Sequence, residues 1–144
     1  MPMRTDIDYG YGIKASKIKV KDVEKLKKLI HRIPEYEKDI NDYFANKKII
    51  DPTLRDYLGY MENYNGLAGL LETLICKEEG VVLYACNDDD GVCYLMYIPG
   101  YPWEFNHVDL SLTEDKLKTL FQKYVALLSD DPINIGYQRC EKCS

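Results

Sequence analysis

The sequence predicts an α+β domain in which one sheet of three or four mainly antiparallel strands, built around a central hairpin, is packed by about five helices. Two observations carry this. Residues 80–103, GVVLYACNDDDGVCYLMYIPGYPW, form the longest apolar, β-branched and aromatic run and contain a turn, Asn87-Asp88-Asp89-Asp90-Gly91, between two strand-like segments at 81–86 and 92–98. Around it lie several stretches with apolar residues at helical spacing, each with a start or stop signal.

Taken in order, Tyr9-Gly10-Tyr11-Gly12-Ile13-Lys14 alternates aromatic and small residues and reads as a flexible or edge strand, since a lone GxG lacks the rest of a phosphate-binding fingerprint. Residues 17–28 are lysine-rich, and Val23, Leu26, Leu29, Ile30 and Ile33 make the inner stripe of a first helix with a cationic outer face. Pro34 opens a second helix with Tyr36, Ile40, Tyr43 and Phe44 inside and Glu35, Glu37, Asp39 and Asp42 outside. Asp51-Pro52 signals the start of a third through Leu54, Tyr57 and Leu58. The fourth spans about 66–78 and stops at Gly80.

In the hairpin, a loop at 88–91 would set Cys86 opposite Cys93, Tyr84 opposite Leu95 and Val82 opposite Tyr97. Neither face of such a hairpin is polar, so it is expected either to be buried on both sides or to expose an aromatic surface to a partner. Ser111 or Thr113 caps a fifth helix with Leu117, Leu120, Phe121, Tyr124, Val125 and Leu128 inward. Ile133, Ile135 and Tyr137 then alternate as a last strand. The predicted core includes Leu71, Leu74, Leu83, Leu95, Leu120 and Phe121.

One domain spanning 1–144 is expected, with 139–144 fraying. No apolar run approaches the ~20 residues a membrane helix needs, and the first ten residues lack the apolar centre of a signal peptide, so a cytoplasmic protein is expected. Five cysteines without secretory context fit free thiols. A net charge of −5 disfavours direct binding to nucleic acid or anionic lipid.

The motifs of catalysis are weak. Asp88, Asp89 and Asp90 lack the alternation and closing glutamate of a calcium loop, and Cys140-x-x-Cys143 is half of a zinc site with no second half. No metal or cofactor is expected. His31 and His107 are the only histidines, and neither sits in a nucleophile or metalloprotease motif. The alternative enzyme reading, a small metal-assisted hydrolase, would need His107 to converge with Asp88–Asp90.

Tyrosine is the outlying feature: thirteen stand against three phenylalanines, although phenylalanine would fill a dry core without a hydroxyl to satisfy. Binding surfaces favour tyrosine because it covers much area with two torsions. Tyr57, Tyr60 and Tyr64 recur as a candidate ridge, and Tyr97, Tyr101 and Trp103 as another. With Asp88, Asp89 and Asp90 these are the candidate partner-contact residues.

Leu83-Tyr84-Ala85-Cys86-Asn87-Asp88, Tyr97-Ile98-Pro99-Gly100-Tyr101-Pro102-Trp103, Leu112-Thr113-Glu114 and Asp131-Pro132-Ile133-Asn134-Ile135-Gly136-Tyr137-Gln138 together resemble uncharacterised small acidic, tyrosine-rich proteins of gut bacteria and their mobile elements. The resemblance implies no activity or catalytic residue. It implies a mobile-element setting, in which a non-enzymatic protein-binding module would inhibit a host nucleic-acid-handling defence complex, as anti-CRISPR proteins do.

Overall fold

The computed structural model describes residues 5–98 and 113–143. In chain order these form β1 (Thr5–Lys14), α1 (Val23–His31), α2 (Pro34–Asn46), α3 (Leu54–Met61), α4 (Gly66–Glu79), β2 (Tyr84–Asn87), β3 (Cys93–Tyr97), α5 (Glu114–Ala126) and β4 (Gly136–Cys143), with single 3₁₀ turns at Ala15–Lys17 and Glu62–Tyr64. The result is an α+β fold: five helices and a four-stranded antiparallel sheet.

The helix starts follow side-chain caps. Asp22 accepts a hydrogen bond from the Glu24 amide at 2.9 Å, so α1 begins at Val23 instead of Lys17. Thr53 and Asp56 form a reciprocal capping box, which moves the start of α3 past the expected Asp51-Pro52. Pro34 opens α2 as expected, and Thr113, the nearer of the two candidate caps, opens α5 through the Lys116 amide.

The strand order is β2-β3-β1-β4, so the hairpin is not central: β3 and β1 are the inner strands and β2 is an edge. β1, expected to be flexible or an edge, pairs on both sides. The last strand runs through 136–143, beyond the expected 133–137, so residues 139–143 are paired with β1 instead of frayed. Ile133 and Ile135 still pack against the core, but from outside the ladder.

Hairpin register also differs by one residue. Asp88 closes the loop against Val92, with Gly91 at φ +81° and bonded through its amide to the Asp88 carbonyl, which is a type I turn with a glycine bulge. Ala85 therefore faces Leu95, and Cys86 faces Tyr94. Because side chains alternate, this single step exchanges the partners on both faces.

On one face Tyr11, Ile13, Leu83 and Leu95 meet the buried stripes of the helices, including Leu70, Leu71, Leu74, Ile75, Phe121 and Tyr124. Phe121 takes the deep position on α5, while Leu120, expected there, is only half-buried. On the other face Cys86, Tyr94, Met96 and Cys140 make a second small core.

Cys86 and Cys140 are joined by a disulfide, correcting the expectation of free thiols for these two; Cys76 and Cys93 are free. The bond spans the sheet from one edge strand to the other. A flat four-stranded sheet would hold its edges roughly 14 Å apart, yet these Cα atoms are 6.7 Å apart. The sheet must curl, and Gly10 and Gly12 of β1 lie on the face that carries the disulfide. A methyl at Gly12 would fall 2.0 Å from the Leu95 carbonyl oxygen, so only glycine fits there.

Candidate functional site

Among the described residues, the place where tyrosines and carboxylates converge is a cleft of about 470 Å³ between α2, the end of α3 and α4. Tyr36, Asp39, Tyr43 and Asn46 line it from α2, at positions three or four apart that the helix repeat brings onto one face. Tyr60 comes from α3, Tyr64 from the 3₁₀ turn, and Gly69 and Thr73 from α4. Gly69 sets this arrangement, because a Cβ there would sit 2.0 Å from the Tyr64 carbonyl and push the turn away from α4.

The rings form a continuous wall. Tyr60 is its hub, with ring centroids 4.9 Å from Tyr43, 5.0 Å from Tyr64 and 6.1 Å from Tyr36. Such tilted and edge-to-face pairs are favourable beyond the area they bury. Burial, followed by the neighbouring Tyr64, pushes the Tyr60 hydroxyl up to about 12. Burial raises Tyr36 as well, and its buried hydroxyl has no hydrogen-bond partner in the protein. None of the lining residues is basic; the nearest cation on α2 is the exposed Lys38, 3.7 Å from Asp42.

A second cleft of about 890 Å³ shares Tyr43 and Tyr60 with the first. Ile49, Leu54 and Leu58 give it an apolar wall, and Arg55, Asp56 and Glu62 a charged one.

The candidate residues separate in space. Tyr60 and Tyr64 reach the first cleft, but Tyr57 does not: it is buried against Phe44, ring centroids 5.0 Å apart. The expected ridge is corrected accordingly, since Tyr57 and Tyr60 are each only 7% exposed and Tyr64 alone stands out, at 56%. The cause is that α3 packs this face onto α2 instead of presenting it to water.

Tyr97 is half-buried against the main core. Asp88 is occupied by its own turn: its carboxylate accepts from the amides of Asp90 at 2.9 Å and Val92 at 2.8 Å, and from the Tyr94 hydroxyl at 3.3 Å. Asp89 and Asp90 are exposed at the hairpin tip. Tyr101, Trp103 and His107 lie outside the described residues. His31 is exposed and its Nδ1 lies 2.8 Å from Glu37. Among the described residues no group of three or more His, Cys, Asp or Glu is placed to hold a metal ion, and no helix is long and apolar enough to cross a membrane.

Tyr36, Tyr43, Asp39 and Asp42 were not among the candidate site residues. Their signal is present in the sequence as a stripe at 36, 39, 43 and 46, in which tyrosine stands where a core helix would carry leucine. No protein-family model, curated protein or solved structure matches this chain.

Proposed function

We propose that this protein is a non-enzymatic protein-binding module that docks on a basic surface of its partner through the acidic, tyrosine-walled end formed by α2, α3 and α4. The observation that carries the reading is the convergence of Tyr36, Tyr43, Tyr60 and Tyr64 with Asp39 and Asp42 on one open cleft free of basic lining. Aromatic faces and carboxylates both attract cations, and tyrosine at the centre of a contact contributes disproportionately to affinity. Net charge supports the same choice of partner, since a chain at −5 is steered toward positive surfaces.

The resemblance to mobile-element proteins supplies the setting: the partner would be a host nucleic-acid-handling defence complex, whose basic groove this protein would occupy. Affinity capture from the native host tests this, comparing the wild type with a variant carrying Tyr64→Ala, Asp39→Asn and Asp42→Asn. These side chains are exposed, so the variant keeps its fold. The expected result is a partner held by the wild type and lost by the variant. A partner retained equally by both would move the interface elsewhere.

A further inference from the structure

The four tyrosines and two carboxylates attract any cation, but the cleft's chemistry is more selective than its charge. Its acceptors are the carboxylates of Asp39 and Asp42 and the side-chain oxygen of Asn46. Lys38, paired with Asp42 at 3.7 Å, is itself exposed and free to swing away.

Three kinds of cation can be compared against this lining. A quaternary ammonium would use the rings but has no N–H, so it would leave every acceptor unanswered. A lysine ammonium is compact and strongly hydrated, and it loses much of that hydration beside aromatic carbon. A guanidinium is planar and weakly hydrated, stacks on aromatic faces, and presents five N–H donors in a rigid fork. It alone matches both halves of the cleft. The volume of about 470 Å³ exceeds what one side chain fills, which leaves room for the flanking main chain of a peptide.

We infer that the cleft receives an arginine side chain of a protein partner, the guanidinium lying against the tyrosine wall and donating hydrogen bonds to Asp39 and Asp42. This rests on the cleft being the docking site proposed above.

The test titrates three capped tripeptides, glycine-X-glycine with X as arginine, lysine or citrulline, into protein carrying ¹³C-labelled tyrosine rings, followed by NMR. Citrulline keeps the shape of arginine without its charge. The expected result is saturable shifts of cleft tyrosines with the arginine peptide, several-fold weaker binding of the lysine peptide, and none with citrulline. Tyr64→Ala and Asp39→Asn should each weaken arginine binding by about two- to fivefold, the size of one exposed cation–π or surface ionic contact. Equal binding of citrulline would show an apolar cleft indifferent to charge, and equal or better binding of lysine would show a plain electrostatic site; either overturns the inference. Silence with all three peptides overturns it too. The docking reading fails separately, when the cleft variant retains the captured partner.

Discussion

Reducing the Cys86–Cys140 bond is predicted to lower stability by about 4 kcal/mol, because the two cysteines are 54 residues apart and opening a loop of that size returns its closure entropy to the unfolded chain. The native state has little reason to change, since both sulfurs sit in the small core with Tyr94 and Met96 and stay buried when reduced. For a chain of 144 residues, unfolding entropy of about 2.1 cal/mol/K per residue makes each kcal/mol worth about 3 °C, so the melting temperature should fall by about 10–15 °C. The assay compares oxidised protein with protein held in a phosphine reductant, by urea and thermal unfolding under far-UV circular dichroism. Non-reducing peptide mapping confirms the 86–140 linkage. Replacing the exposed Cys76 by serine is the control and should move neither midpoint. Identical midpoints for mapped oxidised and reduced samples would refute the argument that the bond ties two distant sheet edges together, and absence of the linked peptide would refute the curled sheet itself.

Further expectations concern Gly12, the core and two titrations. Gly12→Ala should cost about 1–3 kcal/mol or more, because the added methyl meets the Leu95 carbonyl in the main chain, which cannot swing aside; urea midpoints check this. Phe121→Ala should cost about 3–5 kcal/mol, whereas Leu120→Ala should cost clearly less, in the same assay. Tyr60 is held neutral in the fold up to about 12 from an ordinary value of 10.0, so its contribution is complete below pH ~10 and is lost as pH rises toward 12. Tyr60→Phe should flatten that alkaline loss, read as stability against pH. The Glu79 carboxyl is lowered below 4.5 by hydrogen bonds from Lys123 and Tyr124. Its contribution is therefore present above the ordinary value and lost as pH falls through the folded one, and Glu79→Gln should shrink the acid-side decline.

Local chemistry made much of the fold legible. Pro34, Gly80 and Thr113 mark helix ends because each acts on its own few residues, and the apolar stripes of α1, α4 and α5 follow the helix repeat. What escaped was set by distant partners. Whether β1 is an edge depends on β3 and β4 closing on it through Gly10 and Gly12, and the hairpin register turned on one glycine bulge at Gly91. The last strand was expected but placed too early, because the exposed side of β4 carries Tyr137, Arg139 and Glu141 and no apolar alternation marks its continuation to 143. The cleft was half legible: tyrosine excess pointed to aromatic surface, and Tyr60 and Tyr64 were singled out. Their partners Tyr36 and Tyr43 come from another helix, and Gly69 lets the turn that carries Tyr64 lie close against α4.

The most direct test of the cleft as the contact site is photo-cross-linking in the native host with a benzoylphenylalanine at position 64, against the same probe at position 90 on the hairpin tip. A single partner should be captured from position 64, through a peptide rich in basic residues, and capture should fall away when Asp39 and Asp42 are neutralised. Capture from position 90 with none from position 64 would contradict the account and place the interface on the hairpin.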